Sequence, residues 1–159
     1  MTEAQAAQAT AAADQQALFN IEKLYVKDLS LEIPHAPGIF LERENPQIDL
    51  QLHTQATPVE EGVFEVTVTV TVTAKLTEKD KVMFLVEAKQ AGIFQLRNIP
   101  PSEIEAVLAV VCPNILYPYL REVVSDVVVR AGFAPVILSP INFDALYQQQ
   151  KQQATEVKH

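Results

Sequence analysis

VFEVTVTVTVTA, residues 63–74, decides the fold. Phe64, Val66, Val68, Val70 and Val72 share one parity, and Glu65, Thr67, Thr69, Thr71 and Thr73 share the other. Successive side chains of a strand point to opposite faces, so this period of two predicts a strand with one buried and one wetted face. Such a strand belongs to an antiparallel sheet packed on one side. Its length and flatness make it an edge hazard unless it is paired or covered.

Three further strands flank it. After the turn TEKD, a strand over 81–94 sets Val82, Phe84, Val86 and Ala88 against Met83, Leu85, Glu87 and Lys89. Before the turn TPVEEG, Ile48, Leu50 and Leu52 alternate with Asp49, Gln51 and His53. The first strand, over 19–33, sets Tyr25, Leu29, Leu31 and Ile33 against Asp28, Ser30 and Glu32. The order is that of a meander, except that the loop HAPGIFLEREN is long enough to cross over. Pro34, Pro37 and Gly38 force that loop, and its Ile39, Phe40 and Leu41 either tuck into the core or remain as surface.

Helices follow. Ser102 and Glu105 form an S-x-x-E capping box for a first helical piece over 103–111, which Pro113 is expected to break. A main helix over 114–131 gathers Leu116, Tyr117, Leu120, Val123, Val124, Val127, Val128 and Ala131 into an arc of roughly 140°, wider than the usual stripe of about 100°. Gly132 is its stop signal. PVILSPIN reads as an extended linker, and Asn142 caps a last helix, FDALYQQQ. Four strands followed by helices make an α+β fold: a four-stranded antiparallel sheet with a long helix and a short C-terminal helix packed on one face. One domain over 17–148 is expected, between a disordered tail over 1–16 and a flexible tail over 149–159.

At 159 residues and a net charge of −8, the chain repels a phosphate backbone, and its acidity serves solubility or draws a basic partner. No uninterrupted apolar run reaches a membrane span, which argues against membrane insertion, and no signal peptide is read at the N-terminus. The single cysteine, Cys112, excludes an internal disulfide and suits a reducing cytoplasm. His35, His53 and His159 have no metal-site spacing, and none of the four glycines builds a phosphate loop. No catalytic residue, metal or cofactor is expected. Two features stand out instead. Asp28, Glu32, Glu65 and Glu87 put carboxylates on the wetted sheet face, and Ile39, Phe40, Phe94, Phe143 and Tyr147 leave apolar surplus near loops and termini.

The motifs YVKDLSLEIPHAPGIF (25–40), VTVTVTA (68–74), FLVEAKQAGIF (84–94), CPNILYPYLREVVSDVVVRAGF (112–133) and SPINFDALY (139–147) resemble the SecB family of protein-export chaperones. The resemblance spans residues 19–147 and implies a homotetramer, a dimer of dimers. It implies an ATP-independent holdase that keeps unfolded secretory precursors translocation-competent and hands them to the SecA ATPase. SecA docking would fall on Asp28, Glu32, Leu85 and Glu87. Client contacts would fall on Ile39, Phe40, Ile48, Leu50, Leu52, Phe64 and Tyr147. Two departures are visible: KQAG stands where the family usually has a Gly-Gly pair, and the tail QQQKQQATEVKH is less acidic than family tails often are. The other readings are a carrier of one hydrophobic small molecule and an antitoxin-type chaperone with a dedicated client.

Overall fold

A computed structural model of the chain describes residues 16–157; the expected N-terminal tail, apart from Gln16, and the end of the C-terminal tail, Lys158 and His159, lie outside the described residues. Four strands, β1 (Leu18–Glu32), β2 (Gln47–Glu60), β3 (Val63–Leu76) and β4 (Lys81–Arg97), form one antiparallel sheet in the order β1-β4-β3-β2. The hairpins β2–β3–β4 are the expected meander. The loop after β1 does cross over, and it delivers β1 to the far side of β4 in a Greek-key arrangement. The Val/Thr strand β3 is therefore central rather than an edge, and the sheet's free edges are β1 and β2.

The faces of β3 follow its alternation: Val66, Val68, Val70 and Val72 are wholly buried, while Thr69, Thr71 and Thr73 are half-buried. Register extends both faces sideways. Val72 faces Val86 and Leu50, and Val70 faces Ala88 and Leu52; on the other face Thr71 is level with Glu87 and Thr73 with Leu85. Strict alternation fails at bulges. In β1, Val26 opposes Gln90 and Asp28 opposes Lys89, leaving Lys27 as the extra residue. An inserted residue reverses the parity beyond it. Tyr25 consequently lies on the Thr face with Ala91, and not with Leu29 and Leu31 as parity alone predicts. In β4 a bulge at Met83 separates Val82, which opposes Lys75, from Phe84, which opposes Ala74.

Helix α1 runs unbroken over Pro101–Arg130. The expected capping box does not form. The helix starts at Pro101, so Ser102 lies inside the first turn, and Pro101 contributes no N–H that would need a cap. Nor does Pro113 break it. Residues Val107–Val111 widen into a π-turn, in which the Cys112 N–H donates to the Val107 carbonyl, so the ladder is already re-registered where Pro113 enters without a donor. The helix ends as Gly132 predicts. Gly132 has φ 92°, its N–H donates to Val129 O (3.0 Å), and the Phe133 N–H reaches back to Val128 O (3.2 Å). Asn142 caps the last helix, α2 (Phe143–Glu156), accepting from the Ala145 N–H at 3.0 Å. That helix continues eight residues past 148, and its polar second half is exposed.

By length and composition α1 would pass for a membrane span. Here it lies across β3 and β4, burying Leu116, Leu120, Val124 and Val128 completely. Gly92 permits the approach: a Cβ there would stand 2.7 Å from the Phe94 ring and 3.1 Å from Leu116 Cδ2. In KQAG, therefore, Gly92 is the residue the helix demands. Ala91 points to the opposite face, between Tyr25 and Thr67, where a methyl is accommodated.

Width sets the remaining surface. Four strands span roughly 19 Å, whereas a helix with its side chains is about 10–12 Å across. One helix covers two strands and leaves two apolar flanks. On β1 the helix-side residues Phe19, Ile21, Val26, Leu29 and Leu31 stay 38–45% exposed. On β2, Ile48 and Leu50 stay 39% and 45% exposed.

Candidate functional site

The β2 flank is roofed by the segment that follows α1. Leu138, 1% exposed, anchors this linker, and the Tyr117 hydroxyl donates to Ser139 O at 2.6 Å. Tyr117 also meets Phe143 edge-on (5.6 Å between centroids), which positions α2. Between sheet edge and roof lie three depressions in line. One of about 590 Å³ is formed by Ile48, Leu50, Met83 and Phe84 on one side and the linker from Phe133 to Ser139 on the other. The next, about 600 Å³, lies between Leu52–Thr54 and α2, with Phe143, Leu146 and Tyr147. A smaller one of about 220 Å³ continues along Thr54–Ala56 to Leu108 of α1. The strip is mostly apolar, and among the described residues no group of three or more His, Cys, Asp or Glu side chains suits a metal.

Of the residues expected to touch a client, Ile48, Leu50, Leu52 and Tyr147 line this strip. Phe40 stacks on Phe133 (5.1 Å), which in turn meets Phe84 (4.9 Å), so an aromatic row leads from the proline loop into the first depression. Ile39 is 2% exposed and belongs to the core. Phe64 lies elsewhere, level with Pro58 and Phe94 near the β2–β3 turn, and lines none of the three depressions. Sequence reasoning passed over the linker residues Pro135, Val136 and Ile137, the last 76% exposed. Their signal was present: two prolines bracket three consecutive apolar residues, a pattern that disfavours helix and leaves an extended apolar segment.

The Thr face is a different surface. Register sets Ser30 opposite Glu87 and Glu32 opposite Leu85, with Asp28 one pair further along, opposite Lys89. Asp28, Glu32, Leu85 and Glu87 thus meet on two neighbouring strands, each about 5 Å from the strand beside it and about 7 Å from the next residue on its own face. Asp28 and Glu32 are exposed; Leu85 and Glu87 are half-buried. Glu65 does not join them as a free carboxylate. Lys27 Nζ sits 2.6 Å from its Oε1, and the Tyr25 hydroxyl donates to its Oε2. Those two donors hold the Glu65 carboxyl below its usual range, while burial and the bond to Glu65 push Tyr25 up to about 12. Cys112, wholly buried, has its thiol raised to about 12 by burial, which removes it as a nucleophile.

Residues 12–154 match the family described as preprotein translocase subunit SecB. The chain belongs to the SecB family. It is 68% identical over 140 residues to a protein-export protein SecB of Nitrosomonas eutropha, covering 88% of each chain, and 65% identical over 136 residues to one of Aromatoleum aromaticum, covering 86% of this chain and 85% of that one. By this kinship it is a protein-export chaperone. A solved SecB-like chaperone of Mycobacterium tuberculosis, Rv1957, in complex with a ChAD peptide from the HigA1 antitoxin, has the same fold. Its TM-score is 0.63 at 18% identity, over 84% of this chain and 94% of that one. The expected α+β fold, a four-stranded antiparallel sheet with a long helix and a C-terminal helix, stands, apart from the unbroken helix and the longer α2.

Proposed function

We propose that the chain acts in the cytoplasm as an ATP-independent holdase, grips unfolded secretory precursors along the β2 flank, and passes them to SecA at the Thr face. The observation that carries this reading is the run of three apolar depressions along one strand. An extended polypeptide suits such a strip better than a compact small molecule does, because successive side chains can enter successive depressions. Apolar contacts with little polar specificity also favour a broad client range.

The other flank supports assembly. β1 is a free edge with exposed apolar side chains on its helix side, and α1 turns Val111, Tyr119 and Val129 outward. A second copy at β1 and a second pair over α1 would cover both, giving a dimer of dimers. Several client strips per assembly would then act on one long chain with avidity. Docking of SecA is assigned to Asp28, Glu32, Leu85 and Glu87, where one apolar side chain sits among three carboxylates, a pattern suited to a basic partner with an apolar anchor.

The test compares one secretory precursor in reduced, unfolded form with the same precursor folded, without nucleotide. Tight binding of the unfolded form alone is expected. Equal binding of both forms, or of neither, refutes the holdase reading.

A further inference from the structure

We propose that Glu65 is a positioning residue for the docking face: by holding Lys27 and Tyr25 across the width of β4, it keeps the lysine charge away from Asp28. This rests on the assignment of the Thr face to SecA.

Lys27 is the extra residue of the second of two bulges in β1, immediately before Asp28. At a bulge two successive side chains can emerge on the same side of a sheet. Asp28 is on the Thr face, opposite Lys89, and Lys27 reaches Glu65 on that same face. An untethered ammonium on the residue next to Asp28 would neutralise part of the patch. The contact at 2.6 Å draws it instead toward β3, two strands away. Glu65 is equipped for this: its side chain is only 17% exposed, its second oxygen is held by Tyr25, and Lys89 adds a further favourable charge. Tyr25 is on this face because it lies between two bulges of β1, at Glu22 and at Lys27, and the second of them also supplies the other arm of the clamp. Of Asp28, Glu32, Glu65 and Glu87, the structure separates one that organises, Glu65, from three that remain available.

The test measures SecA affinity of full-length assemblies at low and raised salt, with client holding and melting temperature in parallel. Glu65→Gln should weaken docking about three- to fivefold at low ionic strength, the scale of one unit charge released near a carboxylate in water, and less at high salt. The double variant E65Q/K27Q should regain wild-type affinity, because the released charge is gone. Unchanged docking in Glu65→Gln overturns the inference. So does weakened docking that Lys27→Gln fails to restore, which would mark Glu65 as merely structural. A control, D28K/E87K, separates the layers. If it leaves SecA binding intact, the docking face itself is wrong and the inference falls with it. If it abolishes binding while Glu65→Gln does not alter it, only the positioning role is refuted.

Discussion

Removing apolar side chains from the β2 flank should cost client affinity by a calculable amount. Ile48 and Leu50 retain 39% and 45% of their surface for a client to cover. Full burial of such a side chain is worth about 1.5–3 kcal/mol, so the uncovered fraction offers about 0.6–1.3 kcal/mol at each position. The double variant I48S/L50S should lose about 2 kcal/mol of client binding per strip, close to a thirtyfold rise in Kd. The part of each side chain already buried makes the change destabilising as well, so melting should fall by several degrees while the assembly stays folded at 25 °C. The assay is titration of an unfolded precursor fragment short enough to occupy one strip, followed by fluorescence anisotropy at 25 °C. Val59→Ser is the control: Val59 is 59% exposed on the same strand but lines none of the depressions, and should change Kd less than twofold. If I48S/L50S binds the fragment as tightly as the parent, or Val59→Ser weakens it equally, the strip is not where clients bind.

Three further outcomes follow from packing and charge. Gly92→Ala should destabilise the fold by about 1–3 kcal/mol, because its methyl meets the Phe94 ring at 2.7 Å; denaturant titration should show a lower midpoint, whereas Ala91→Gly should shift it little. Cys112 should resist iodoacetamide at pH 8 in the native state and react at once in denaturant, since burial holds its thiol up to about 12; comparable rates in both states would contradict that burial. The Glu65 carboxyl titrates below its ordinary value, so its contribution is complete above the unfolded-state value and fades as pH falls through the depressed one. Acid unfolding of Glu65→Gln should accordingly lack part of that acid-limb slope, read by circular dichroism between pH 5 and about 2.

Both surfaces were legible in the sequence to different depths. Period-two alternation placed Asp28, Glu32, Leu85 and Glu87 on the wetted face before any pairing was known, because side-chain direction along a strand is a local property. Ile48, Leu50 and Leu52 were legible as an apolar face for the same reason, yet nothing local marked them as incompletely covered. That depends on helix width against sheet width, and on α1 crossing β3 and β4 rather than β1 or β2. Phe64 and Ile39 lie outside the strip on the same account: each is apolar near a loop or turn, and only packing separates a core residue from a groove residue.

The amino-acid sequence by itself determined the four strands, the two faces of β3, the stop at Gly132 and the cap at Asn142, since each depends on neighbours within a few residues. Tertiary structure decided what depends on distant partners. It paired β1 with β4, which made the Val/Thr strand central, and it inserted Lys27 as a bulge, which turned Tyr25 to the Thr face and bound Glu65. It also let a π-turn carry the helix through Pro113. A bulge or a widened turn shifts register by one residue, a change invisible to composition, because its energy is settled by the strand or sheet packed against it.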